Sequence, residues 1–245
     1  RNATPLDIND VGKDIVSLFE YDDVGRQSKS YLPYPESNNN GTYQVSAKTS
    51  QIDDYTDAFG ADDAAHAYTS QVYEASTLNR VEKSVAPGHA WREDSHHTVD
   101  NIYTLSDGDE GLLKLEVQAG YNDVLYDEVL GTYKVGDLSK TIVYDENSTN
   151  RGEVINYTNQ RGLTVAKQVK AGSSTYTTTY YIYDDFDQLR YIIQPEGVRL
   201  ILNDPGFTWA SVNDDAFQAN WMIAYQYDDR RRKVAKRVPG ADWVY

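Results

Sequence analysis

Tyrosine and a carboxylate stand side by side at Tyr21-Asp22, Tyr73-Glu74, Tyr144-Asp145, Tyr183-Asp184 and Tyr227-Asp228. A phenol beside a carboxylate could act as an acid/base dyad if a substrate proton lay within hydrogen-bond reach of both. The spacing argues against it. No His keeps a fixed distance from the pairs, and the pairs recur at turns. Catalytic sites are single, whereas structural devices repeat. No catalytic residue is assigned, and the chain is not read as an enzyme.

Other clusters also fail the test of spacing. Asp107-Gly108-Asp109-Glu110-Gly111 invites calcium, but an EF-hand loop needs an oxygen ligand at position five and Gly at position six. Gly111 and Leu112 occupy those places, so the stretch reads as an acidic hairpin turn. His89, His96 and His97 lie near Glu93 and Asp94, yet adjacent histidines on a loop cannot both face one metal without a special backbone. No metal and no cofactor are assigned, and Trp91 is read as a packing residue. Arg230-Arg231-Arg232-Lys233, with Lys236 and Arg237, is the only basic cluster. It reads as the turn and solvated face of a hairpin, able to pair with acidic residues of a neighbouring unit. Asn203-Asp204-Pro205-Gly206 reads as a turn.

The elements that position the pairs are strand, turn, strand. Tyr181 and Tyr183 alternate with Tyr180 and Ile182. Asp184, Asp185 and Asp187 crowd a break, and Leu189, Tyr191 and Ile193 then alternate with Arg190 and Ile192. β-formers at period two on both sides of an Asp-rich break predict a hairpin. The carboxylate suits the turn because it accepts the backbone N–H two residues on. Tyr225-Gln226-Tyr227-Asp228 with 233–238, Phe19 to Arg26 with 27–32, 142–146 with 151–155, and 72–74 with 78–85 repeat the unit at unequal intervals. Self-similarity on this scale predicts stacked supersecondary units rather than a globule built round one site. Tyr181 and Tyr183, and Tyr225 and Tyr227, should share a sheet face pairwise and extend into a tyrosine ladder across strands. The units at 183 and 227 lack a turn Gly, which predicts a different turn geometry there.

Elsewhere, residues 1–18 form a lead-in and residues 33–50 a loop. A short helix is expected over 53–68 and a better one over 213–223, capped by Asn213 or Asp214. Phe217, Trp221 and Ala224 would form its stripe. Strands are expected between Asn101 and Lys140 and again over 153–182, with turns at Asn159-Gln160-Arg161-Gly162 and at 171–174. The fold class is therefore mainly β: consecutive antiparallel hairpins in a long sheet, with one or two short helices and no linker that would divide the chain.

The 245 residues carry a net charge of −15, which disfavours nucleic acid and anionic membranes as partners. No run approaches the about 18 apolar residues of a membrane helix. Hydrophobic content of 40% and charged content of 25% suit a folded chain rather than a disordered one. The chain holds 21 Tyr against 5 Phe and 4 Trp, so its large rings suit half-buried sheet that keeps contact with water. Without Cys, no disulfide or thiolate site is available. The opening Arg1 to Pro5 has no apolar stretch of a signal peptide, and the chain reads as a fragment of a longer protein.

Tyr21-Asp22-Asp23-Val24-Gly25-Arg26 resembles the signature of YD-repeat proteins, also called Rhs proteins. The stretches 26–34, 78–81 with 86–91, 180–186 and 238–245 resemble the region preceding the Rhs core in large secreted proteins of the Bacteroidetes. The resemblance covers most of the chain. Glu74 in place of Asp departs from the pattern. Rhs cores self-cleave near Asp-Pro, but Asp204-Pro205 lacks the surrounding core pattern. The resemblance implies a sheet that spirals into a hollow shell, with this chain as a wall segment that encloses or presents a C-terminal effector or adhesive region. It implies a secreted or cell-surface location. The implied partners are adjoining repeats of the same polypeptide, secretion machinery or other surface proteins. A carbohydrate- or protein-binding surface module is the alternative, and a concave Tyr/Trp patch would distinguish it.

Overall fold

The computed structural model describes residues 13–36, 41–117, 124–126, 131–147, 151–203 and 212–245. The lead-in before residue 13, residues 37–40 of the expected loop, and Asp204-Pro205-Gly206 lie outside them.

The chain is mainly β, as its period-two stretches require. Its first strands are β1 (Asp14–Val16), β2 (Phe19–Tyr21), β3 (Gln27–Tyr31), β4 (Tyr34–Glu36), β5 (Tyr68–Tyr73), β6 (Val81–Val85) and β7 (Thr98–Leu105). Then come β8 (Leu115–Val117), β9 (Val124–Tyr126), β10 (Ser139–Tyr144), β11 (Glu153–Thr158) and β12 (Thr164–Lys170). Last are β13 (Tyr176–Tyr183), β14 (Leu189–Ile193), β15 (Met222–Tyr227) and β16 (Lys233–Arg237). Twelve of them form one antiparallel sheet in the order β16-β15-β14-β13-β12-β11-β10-β7-β6-β5-β3-β2. β1 with β4 and β8 with β9 make two further two-stranded pairs.

The chain divides into two compact units, residues 1–101 with 144–151, and residues 102–143 with 152–245. In the first, the helices α1 (Ala47–Phe59) and α2 (Ala61–Ala64) meet at Gly60, whose φ of 90° breaks the run. Gln51 is fully buried there, and its Nε2 donates to the Ala67 carbonyl at 3.1 Å. The expected helix over 53–68 is thus two helices that begin at Ala47, and Tyr68 already belongs to β5. The expected loop over 33–50 contains β4, whose Pro35 pairs with Ile15. A two-stranded pair tolerates Pro because one side of each strand has no ladder bond to lose.

The core of the second unit includes one row that crosses five strands. Tyr157 pairs with Ala166, Ala166 with Tyr180, Tyr180 with Ile193, and Ile193 with Met222. All five are at most 3% exposed. The helices α3 (Pro195–Asn203) and α4 (Asp215–Trp221) bring Val198 and Phe217 onto this row. α4 matches the expected helix, and Asp214 caps it by accepting from the Ala216 amide at 3.2 Å. It stops at Trp221, because Ala224 lies in β15 and pairs with Tyr191. α3 was not expected. Pro195 at its start and Glu196 in its first turn mark it, but Gly197 obscures the pattern. That Gly is needed: a Cβ there would come within 2.8 Å of Trp221 Cβ. Four α-helices among the described residues exceed the one or two expected.

The acidic stretch at 107–111 is not a hairpin turn. β7 neighbours β6 and β10, while β8 pairs with β9. The segment between β7 and β10 is an excursion that returns where the Ser106 amide donates to the Leu138 carbonyl at 2.9 Å. Alternation shows that a strand exists and is silent on which strand it pairs with.

Candidate functional site

Every Tyr-Asp pair ends one strand and starts a turn. β2–β3, β5–β6, β13–β14 and β15–β16 are the predicted hairpins, and β10 neighbours β11. In the first, the Asp22 amide donates to the Arg26 carbonyl and the Gly25 amide to the Asp22 carbonyl. Asp22 Oδ1 accepts from the amides of Val24 at 3.1 Å and Arg26 at 2.8 Å. This is a three-residue loop: a turn followed by one left-handed residue, with a bulge where the ladder resumes. The register shifts between Glu20 and Tyr21, at the residue before the Asp.

The same bonds recur at Asp184, whose Oδ1 accepts from Phe186 and Gln188, both at 3.0 Å. They recur at Asp228, whose Oδ1 accepts from Arg230 and Arg232, both at 2.9 Å. The left-handed position is Gly25 in the first turn but Asp187 and Arg231 in these two, each at φ 62°. The expectation of a different geometry without Gly is corrected: the turn is the same, and two non-glycine residues bear the strain. A further copy lies at Asn159, whose Oδ1 accepts from Arg161 and Leu163 at 3.0 Å, with Gly162 left-handed at φ 81°. In the sequence it reads as a plain turn, because an amide stands where the carboxylate is expected and Thr158 where the Tyr is.

An arginine closes most of these turns. Arg26 Nε donates to Asp22 Oδ2 at 2.6 Å and Arg232 Nε to Asp228 Oδ2 at 2.8 Å. Arg190 stands 3.5 Å from Asp184, and Arg151 Nε donates to the Asp145 carbonyl at 2.8 Å. Asp145 Oδ1 accepts from the Asn147 amide at 3.1 Å. Glu74, the departure from Asp, is buried. Its longer arm reaches Ser76 Oγ, at 2.7 Å, and takes Arg80 on both oxygens. The Arg80 guanidinium holds the Glu74 carboxyl down at about 2. The amide and guanidinium of Arg232 likewise hold Asp228 below the usual carboxylate range.

The tyrosines do something that the sequence did not disclose. Tyr73 Oη donates to the carbonyl of Gln27 at 3.1 Å, Tyr183 Oη to that of Thr164 at 3.1 Å, and Tyr227 Oη to that of Leu189 at 3.0 Å. Each acceptor is the fifth residue after the turn Asp or Asn of the preceding hairpin: 22 to 27, 159 to 164 and 184 to 189. The Tyr of the pair therefore latches its own hairpin to the one before it. Tyr21, on β2, has no earlier hairpin among the described residues and is 62% exposed. Arg151 lies 5.4 Å from the Tyr144 ring. Tyr181 faces Ile192, and Lys233 stands over the Tyr225 ring at 4.9 Å. Tyr181, Tyr183, Tyr225 and Tyr227 do not stack on one another, so the expected aromatic ladder is corrected to hydroxyl latches.

Side chains also tie one turn to the next. Arg26 Nη1 donates to the Glu74 carbonyl at 3.3 Å and to Asn79 Oδ1 at 3.2 Å. Arg161 pairs with Asp187 at 2.5 Å. Arg231, in the basic cluster, lies 4.2 Å from the Phe186 ring rather than on a carboxylate of the neighbouring turn.

At 107–111, Glu110 accepts from the amides of Asp107 and Gly108, and Lys140 lies 3.3 Å from it. Among the described residues, no group of three or more His, Asp and Glu could hold a metal. His97 Nδ1 bonds the Glu146 carbonyl at 3.0 Å, and Trp91 packs edge-on to His97 at 5.2 Å while remaining 37% exposed. No described helix is long and apolar enough to cross a membrane.

Residues 2–105 match the model of a family described as a domain of unknown function, DUF6443. The match covers less than half of the chain and contains its first two Tyr-Asp turns. No curated protein matches the chain.

Proposed function

We propose that the chain is a non-enzymatic structural module: a wall segment of a large exported bacterial YD-repeat protein that encloses or presents a C-terminal effector or adhesive region. One observation carries the reading. The same turn, with its carboxylate on two amides, recurs at Asp22, Asp184 and Asp228, and the hydroxyl of the next Tyr ties hairpin to hairpin. A carboxylate held by amides and an arginine is a poor proton acceptor at neutral pH. A device repeated along a sheet distributes load and gathers no unlike groups at one point. The resemblance of Tyr21 to Arg26 to the YD signature supplies the larger protein and its exported setting.

The test is limited proteolysis of the parent protein with and without residues 1–245. A wall segment predicts that the C-terminal region resists protease in the intact protein and is cut within minutes once the segment is deleted. Equal cleavage in both would overturn the proposal. So would turnover of any substrate by the purified chain that a single Asp or His change abolishes at unchanged stability.

A further inference from the structure

The geometry points to a binding groove for a neutral oligosaccharide on one face of the first unit. β3, β5, β6 and β7 present there a floor that is polar without being charged. The register places Ser30 beside Thr69, Gln71 beside Ser84, and Ser84 beside Val99, all on one face. A groove of about 820 Å³ lies over them, walled by Tyr73 and by Trp91 with His97.

Among the described residues, three polar groups of the floor have no protein partner: the hydroxyls of Ser30 and Ser84 and the amide nitrogen of Gln71. Gln71 Oε1, at 2.6 Å, shares the single proton of Tyr73 Oη with the Gln27 carbonyl, at 3.1 Å, and this places the carboxamide oxygen on the ring hydroxyl and leaves the N–H₂ unengaged. Unengaged hydroxyl and amide groups on a sheet face are the complement of a sugar's hydroxyl rim. The apolar C–H face of a pyranose needs a flat aromatic surface, and Trp91 supplies one.

Trp91 is held rather than loose. Its amide donates to the Gly88 carbonyl at 3.0 Å, its ring packs on His97, and His97 is in turn bonded to the Glu146 carbonyl. A platform fixed before the ligand arrives loses little side-chain entropy on binding. The residue nevertheless stays 37% exposed, more than packing requires of so large a side chain.

The charges point to a neutral ligand. Lys29 borders the groove, but its ammonium lies over Tyr68 on the opposite face, 4.5 Å from the ring and 3.8 Å from Glu20. Arg26 covers the Tyr73 ring at 4.6 Å and is spent on Asp22. The net charge of −15 repels acidic polysaccharides. Apart from Glu146, all the groove residues fall within the stretch that DUF6443 matches.

The test titrates the 245-residue chain with cello-, xylo-, manno- and chitohexaose by calorimetry and by amide chemical shifts. At least one should bind, with shifts centred on Gln71, Ser84 and Trp91. Trp91→Ala should weaken that binding tenfold or more, which corresponds to about 1.4 kcal/mol. Trp91→Phe should retain more affinity than Trp91→Ala. Gln71→Ala, on an exposed position that leaves the fold intact, should weaken binding several-fold. The absence of heat and shift change with every probe at about 10 mM would overturn the proposal, since even weak lectin-like affinities register there. So would binding that survives both Trp91→Ala and Gln71→Ala, with unchanged melting temperatures showing that each variant is folded.

Discussion

The hydroxyl of Tyr227 donates to the backbone carbonyl of Leu189 at 3.0 Å, joining a residue of β15 to the first residue of β14. Tyr183 makes the same contact with Thr164, and Tyr73 with Gln27. The bond explains why Tyr rather than Phe precedes the turn Asp. Phe would fill the same surface but would leave the carbonyl of the earlier hairpin without its donor.

Removing one hydroxyl should therefore be felt. Tyr183→Phe and Tyr227→Phe are each expected to lower unfolding free energy by about 1 kcal/mol, the usual net value of one hydrogen bond. Tyr225→Phe is the control. Its ring lies under Lys233 and Lys236, and its hydroxyl makes no such bond, so the change should be close to neutral. Urea denaturation of the three variants checks the ordering.

The turn carboxylate can be separated from the turn shape. Asp184→Ala removes the acceptor for the Phe186 and Gln188 amides and should cost about 1 kcal/mol. Asp184→Asn keeps Oδ1 and should recover most of that loss, because Asn159 already runs the same turn with a carboxamide. If Asn proved as damaging as Ala, the role of Arg190 at 3.5 Å would have to outweigh that of the amides.

Gly197 is a packing residue of the α3–α4 contact. Gly197→Ala places a methyl 2.8 Å from Trp221 Cβ and 3.1 Å from Ile193 Cγ2, with no flexible chain end to yield. Overpacking of this kind costs about 1–3 kcal/mol. Thermal unfolding should show the loss as a lowered melting temperature.

Acid should act on Glu74. Its carboxyl is held at about 2 in the fold against an ordinary value of 4.5. A lowered pKa means that the folded chain binds fewer protons than the unfolded one. The stabilisation is fully present above about 4.5 and is lost as pH falls towards about 2. Glu74→Gln should be less stable than the parent at pH 7, and the two curves should converge through that window. Denaturation midpoints at pH 7, 4 and 2.5 would measure it.

The hairpins were legible because alternation and the Asp break are both local. Period two fixes which residues share a face, and an Asx side chain at the turn start needs nothing beyond the next four residues. What escaped was set from farther away. The strands flanking 107–111 read well, yet β7 and β8 take other partners. The turn at Asp187 and Arg231 adopts a left-handed residue without glycine, since the carboxylate of Asp184 or Asp228 fixes the amides on both sides of it. α3 was hidden by Gly197, whose presence is explained only by Trp221 beside it. The latches were invisible for a simpler reason: their acceptors are main-chain carbonyls, and a carbonyl leaves no mark in the sequence.

All three latches run the same way. The donor is later in the chain than its acceptor, by 46 residues for Tyr73 and Gln27, 19 for Tyr183 and Thr164, and 38 for Tyr227 and Leu189. A nascent chain that emerges amino end first always has the acceptor hairpin in place before the donor arrives. Growth can then proceed by addition, each new hairpin docking on finished structure instead of waiting for sequence still to come. Shortening from the two ends is correspondingly unequal. As far as the latches go, loss of the last hairpin frees a carbonyl that water can satisfy, whereas loss of an earlier one strands the hydroxyl of the hairpin that was to lean on it.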